Sequence, residues 1–216
     1  MKNLEKLPPV LKFYYNWPTD LYQAYEKIYN DICESEYLAP AQIKFKTVES
    51  LPKEDGYYRL INEYDEEFWF IKNGIPSHKT TFWTKDIRKQ NAYAYSNTNL
   101  KTHRSEAAMY IVKCCDELCD YYDIKNYNIR LMTLKPGDYL TWHKDSKKTF
   151  AAINHNIGKG SNTVKFFKDE YKYDTALLNI QEYHAVDNNS SQNRVTLKIA
   201  SKDKSFETLY KRISSK

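Results

Sequence analysis

A chain of 216 residues that is 41% hydrophobic, 15% aromatic and 28% charged has a globular composition, which excludes a disordered or fibrous protein and leaves no need for a disulfide or structural metal to hold the core. No apolar run approaches the ~18 residues of a spanning helix. Residues 1–13 carry charges and a proline pair where a signal sequence has its apolar stretch, so a cytoplasmic protein with no membrane contact is expected. Net charge is +5, but six basic side chains (Lys198, Lys202, Lys204, Lys211, Arg212, Lys216) against two acidic ones lie in 198–216, so the body is nearly neutral and the end reads as a solvated basic tail.

The four cysteines, Cys33, Cys114, Cys115 and Cys119, contain no C-x-x-C pair, which suits a reducing compartment rather than a disulfide framework. In chain order, Leu21, Tyr22, Tyr25, Ile28, Tyr29 and Ile32 recur at three- and four-residue intervals and predict a helix over 20–33. Short apolar stretches at 57–61 and 68–71, closed by the turn pair Asn73-Gly74, predict strands. A second helix is predicted over 105–122, with Ala108, Ile111, Val112, Cys115, Leu118, Cys119 and Tyr122 on one stripe. Cys115 and Cys119 then read as small core residues.

Six strands follow, over 128–134, 138–143, 150–156, 163–167, 176–180 and 194–200, separated by Pro136-Gly137, residues 158–162 and residues 187–193. Antiparallel strands after helices, without β-α alternation, predict a sandwich or barrel and exclude a doubly wound nucleotide-binding fold. No linker or repeat divides the chain, so 1–216 reads as one domain: 1–127 packing on the core, 128–201 forming it, and 202–216 as the tail.

Side chains alternate along a strand, so His143 and Asp145 point to one side and can grip one ion together; His184 supplies a third ligand if the strands pair across a barrel. Two imidazoles and one carboxylate on one face of iron(II) leave positions open for substrate ligands and dioxygen. Arg194 and Thr196 share a face opposite Val195, Leu197 and Ile199. An inward guanidinium, with its two parallel donors and a neighbouring hydroxyl, would anchor a dicarboxylate. Arg130 is open to two roles, binding a substrate carboxylate or bracing the sheet.

The order His143-x-Asp145, His184, Arg194-x-Thr196, with Arg130 to Gly137 as an Arg-x-x-x-Leu-x-Pro-Gly-like lead-in, resembles the iron(II)/2-oxoglutarate-dependent oxygenases, and within them the aspartyl/asparaginyl β-hydroxylase-like branch that includes free-amino-acid hydroxylases. The resemblance covers residues 128–201. It implies a mainly β chain with flanking helices on a double-stranded β-helix (jelly-roll, cupin-like) core, and a dioxygenase that hydroxylates an amino acid, free or within a protein. It further implies iron(II) on His143, Asp145 and His184, and 2-oxoglutarate meeting Arg194 with Thr196 nearby. Asn154 occupies the place where such proteins often put a polar side chain against the other end of 2-oxoglutarate. The stretch 149–156 departs from the branch, with Ala152 and Asn154 where its arginine and histidine stand.

The remaining candidates read as structure. His155 has opposite strand phase to Asn154, Trp142 and Lys144 face away from the ligands, His78 and His103 lie in polar connections, and Gly158-Lys159-Gly160-Ser161 lacks the order of a phosphate loop. Three rival functions remain: a jelly-roll ligand-binding module without catalysis, an oxygenase acting on nucleic-acid bases, which the basic end and the tyrosines favour modestly, and a zinc hydrolase, in which Arg194 would lack a purpose.

Overall fold

Alternating apolar and polar positions give each strand two usable faces, and in a computed structural model the chain uses both. Residues 7–34, 45–50, 57–62, 67–71, 105–134, 136–137, 139–166 and 169–216 are described, with 29–34, 45–50, 57–62, 67–71 and 139–142 as backbone only. The strands are β1 (Val10–Lys12), β2 (Phe45–Ser50), β3 (Tyr57–Asn62), β4 (Glu67–Ile71), β5 (Tyr127–Leu134), β6 (Tyr139–Lys144), β7 (Ala151–Asn156), β8 (Thr163–Phe166), β9 (Asp169–Lys172), β10 (Thr175–Leu178), β11 (His184–Asp187) and β12 (Arg194–Ser201). One sheet runs β1-β10-β7-β12-β5 and the other β2-β3-β4-β6-β11-β8-β9, all pairs antiparallel. From β5 to β12 the orders are 10-7-12-5 in one sheet and 6-11-8-9 in the other, the eight-stranded jelly roll of a double-stranded β-helix. The expected fold class is present.

The two faces of the five-stranded sheet do different work. Ile129, Leu131, Ile153, Leu177, Val195, Leu197 and Ile199 face helices α1 (Leu21–Glu34), α2 (Glu106–Tyr121) and α3 (Phe206–Ser214) in the larger core. Ala152, Ala176 and Leu178 face the other sheet and meet Val164 and Phe166 of β8. The helix stripes are those of the periodicity: Leu21, Ala24, Tyr25 and Ile28 on α1, and Ala108, Ile111, Cys114, Cys115, Leu118 and Cys119 on α2, are buried. Ser105 caps α2, its hydroxyl accepting from Ala108 N at 3.2 Å. Cys115 and Cys119 sit in the larger core cluster, as expected of small apolar side chains.

Two expectations change. The basic end is not a solvated tail: Ser205 caps α3, and Phe206, Leu209 and Ile213 are buried in the larger core. Arg212 donates to Asp123 Oδ2 and to Tyr122 O, each at 2.8 Å, and Lys198 is not part of the end at all but a buried residue of β12. The jelly roll also contains β9 and β11, beyond the six predicted strands. β9 is Asp-Glu-Tyr-Lys, a charged edge strand, and β11 is His-Ala-Val-Asp with its two apolar residues side by side, so neither carries apolar alternation. Residues 158–161 pack closely on β12. A Cβ on Gly160 would lie 2.4 Å from Arg194 N, and one on Gly158 2.8 Å from Val195 N, so the glycines let this loop press against the start of β12. The turn Asn73-Gly74, His78 and His103, and the side chains of Tyr29, Ile32, Cys33 and Trp142, lie outside the described residues.

Candidate metal and dicarboxylate site

Pairing of β6 with β11 puts His143 and His184 directly opposite each other. Facing residues on an antiparallel pair share a side, and the two rings stand with centroids 4.2 Å apart. Asp145 lies just past β6, where its backbone N–H donates to Ile180 O at 3.0 Å and swings the carboxylate under both rings. Asp145 Oδ1 is 3.5 Å from His143 Nε2 and 3.8 Å from His184 Nε2. All three side chains are buried, and their ligand atoms lie within 4.8 Å of one another. His184 Nδ1 is 2.9 Å from Glu182 O, so this nitrogen carries the proton and Nε2 turns a lone pair toward Asp145. Phe166 stacks on the outer side of His184 at 5.6 Å.

The donor set suits a divalent transition ion. Ligands each about 2.1 Å from one ion can be at most about 4.2 Å apart, and both separations from Oδ1 fall inside that limit. Burial pushes the His184 imidazole down to about 3, helped by His143, so it stays neutral as a ligand must be. Burial alone would raise the Asp145 carboxyl, but the Lys198 ammonium, then the His143 hydrogen bond, hold it well below the carboxylate range. Lys198 Nζ pairs with Asp145 Oδ2, whereas Oδ1 is the oxygen close to both rings.

Farther along the same face of β12 stands Arg194, 3% exposed. Its Nη1 donates to Thr163 O and, at 3.4 Å, to Asp187 O; Nη2 donates to Tyr173 Oη at 3.4 Å. Among the described residues no carboxylate pairs with it, although a buried guanidinium demands one. Asn154 Nδ2 also donates to Tyr173 Oη at 3.4 Å, so the phenol accepts twice and keeps its own proton for an acceptor. Asn154 Oδ1 is buried without a hydrogen-bond partner. Thr196 Oγ1 donates to Asn156 Oδ1 at 2.9 Å and so braces β7. This inner face thus offers a cation with no carboxylate among the described residues, a phenol donor and an orphaned amide oxygen.

Of the residues singled out in the sequence, His143, Asp145 and His184 converge on one point, while Arg194, Asn154 and Thr196 line the same inner face. Arg130 lies on that face as well, half-buried and in register with Lys198 on the neighbouring strand. His155 faces the other way, stacked on Trp17 at 4.8 Å, and Lys144 sits over Tyr183 outside the site. Sequence reasoning missed Lys198 and Tyr173. The alternation that aligns Arg194 with Thr196 extends to Lys198, so that signal was present; Tyr173, in a β9–β10 turn, carried none.

No family model matches the sequence, and no curated protein matches it. Among solved structures, a viral collagen prolyl hydroxylase from Paramecium bursaria Chlorella virus-1, in a 2OG complex, is similar with a TM-score of 0.41 and 12% identity over 89% of this chain and 95% of its own. A Pseudomonas putida prolyl-4-hydroxylase follows with a TM-score of 0.37 and 12% identity over 47% of this chain and 69% of its own. A Klebsiella pneumoniae protein with a double-stranded β-helix domain has a TM-score of 0.30 and 11% identity, over 36% and 68%. Among the described residues, no helix is long and apolar enough to cross a membrane.

Proposed function

We propose that the protein is an iron(II)- and 2-oxoglutarate-dependent dioxygenase that hydroxylates an unactivated C–H bond of an amino acid, free or within a protein, in the manner of the aspartyl/asparaginyl β-hydroxylase-like branch. The observation that carries this reading is the pairing of two features inside one barrel: a buried His143–Asp145–His184 cluster and a buried Arg194 with no carboxylate among the described residues. His143, Asp145 and His184 would hold the iron through Nε2, Oδ1 and Nε2. Arg194 would take the distal carboxylate of 2-oxoglutarate, with the Tyr173 hydroxyl donating beside it. When bound, iron with 2-oxoglutarate and dioxygen supplies oxidative decarboxylation to succinate and carbon dioxide coupled to C–H hydroxylation.

The chain's own share is placement and exclusion of water. The His184 Nδ1–H held by Glu182 O fixes the ring and its tautomer, Phe166 shields it, and the larger cluster closes the far side of the sheet. The nucleic-acid alternative loses much of its footing, since Lys198 is buried and Lys204 and Arg212 pair with Asp123. Succinate formation from 2-oxoglutarate, with iron(II) and oxygen, tests the reading against pools of free amino acids and peptides. Substrate-stimulated succinate and a product heavier by one oxygen are expected. Tight 2-oxoglutarate-independent binding of a small ligand, with no succinate from any pool, would favour the jelly-roll binding module instead.

A further inference from the structure

The Lys198 ammonium, deeper in the site than Arg130, is required by neither the metal triad nor the dicarboxylate reading. It is 8% exposed, projects from β12 on the same face as Arg194 and Thr196, and pairs with Asp145 Oδ2, while Oδ1 makes the carboxylate's close approach to both imidazoles. Its neighbour across β7 is Asn154, whose Oδ1 is orphaned.

We infer that Lys198 is a positioning residue that holds Asp145 to a single metal-facing oxygen and sets beside the metal a fixed positive charge that favours a chelating anion over tight metal binding. The assignment rests on the iron and 2-oxoglutarate reading of the site. A carboxylate with one oxygen held by an ammonium presents only the other to an ion, which leaves one more position for an incoming ligand. The same ammonium repels the divalent ion and attracts 2-oxoglutarate, since the two carry opposite charge and the surroundings are dry. Arg194 and Lys198, four residues apart on one strand and thus about 13 Å apart at the backbone, then stand as cations toward the two ends of one dicarboxylate. Removing the ammonium acts with opposite sign on the two ligands. Loss of a side chain that merely packs does not.

The test is anaerobic titration of manganese(II), then of 2-oxoglutarate into the manganese-loaded protein, for the wild type, Lys198→Met and Lys198→Arg. Lys198→Met is expected to bind manganese about tenfold more tightly and 2-oxoglutarate about tenfold more weakly, about 1.4 kcal/mol each way, with both affinities within about threefold of wild type in Lys198→Arg. Wild-type protein that binds neither manganese nor 2-oxoglutarate overturns the underlying reading and this assignment with it. Wild-type binding of both, with Lys198→Met unchanged or weakened toward both, overturns the Lys198 assignment alone. Lys198→Gln serves if the methionine variant does not fold. A measurement on the wild type stands independently of either variant: in ¹⁵N-lysine-labelled protein one ammonium resonance should stay protected from solvent exchange after zinc(II) is added. Loss of that protection would mean that Lys198 leaves Asp145 when a metal enters, and would overturn the assignment.

Discussion

Arg194→Met removes the guanidinium and keeps the length of the side chain. In the ligand-free protein the guanidinium is 3% exposed, donates only to Thr163 O, Asp187 O and Tyr173 Oη, and has no carboxylate among the described residues. Its removal therefore relieves a desolvated charge while freeing those acceptors. These effects oppose each other, and ligand-free stability should stay within about 2 kcal/mol of wild type, less than the 3–5 kcal/mol lost when a buried ion pair is broken. With 2-oxoglutarate the balance differs. Two charge-assisted hydrogen bonds at about 1.5 kcal/mol or more each amount to about 3 kcal/mol, or roughly 150-fold in Kd. The assay is thermal unfolding with manganese(II) and 2-oxoglutarate at 100 times the wild-type Kd. Wild type gains about 2.7 kcal/mol and about 5–11 °C in Tm. The variant, at the same concentration, gains about 0.3 kcal/mol and about 1 °C. A variant that kept the full wild-type shift would refute the placement of the distal carboxylate on Arg194.

Three further outcomes follow from the same packing and hydrogen bonds. Tyr173→Phe deletes the hydroxyl that accepts from Arg194 and Asn154; calorimetry should show 2-oxoglutarate weakened about five- to tenfold, about 1 kcal/mol, and equal affinity would exclude the phenol from the pocket. Burial pushes the His155 imidazole down to about 4, so its neutral form stabilises the fold fully above about 6.5 and progressively less as pH falls toward 4. Urea unfolding of His155→Gln should show a shallower loss of stability across that window than wild type, and an equal or steeper loss would contradict it. Leu209→Ala empties a fully buried position of α3 and should cost about 2–5 kcal/mol in urea unfolding, whereas a change within about 0.5 kcal/mol is what a solvated end would give.

Legibility in the sequence followed the physics of each element. The helices declared themselves through periodicity: Ala108, Ile111, Cys115, Leu118 and Cys119 recur at the helical repeat because one stripe must reach the core. Strand alternation separated Arg194 and Thr196 from Val195, Leu197 and Ile199 and put His143 beside Asp145, whereas His184 joins them only through the pairing of β11 with β6. Lys198 was hidden by composition. Counted among the charges of the chain's end, it looked solvated, although the alternation already in hand places it inside. β11 stayed invisible because its two apolar residues, Ala185 and Val186, are adjacent rather than alternating, and its place is fixed by pairing with β6 and β8 rather than by its own sequence. Tyr173 lies outside any periodic element, so only the crossing of the chain from β9 in one sheet to β10 in the other brings its hydroxyl to Arg194.

The central claim is that His143, Asp145 and His184 make one metal site that a dicarboxylate completes. Its most direct test is anaerobic calorimetric titration of manganese(II), then 2-oxoglutarate, into wild type and His184→Ala. One manganese per wild-type chain is expected, with 2-oxoglutarate binding only after it, and both lost in a His184→Ala variant that remains folded. Manganese binding that survived His184→Ala, or 2-oxoglutarate binding indifferent to metal, would contradict it.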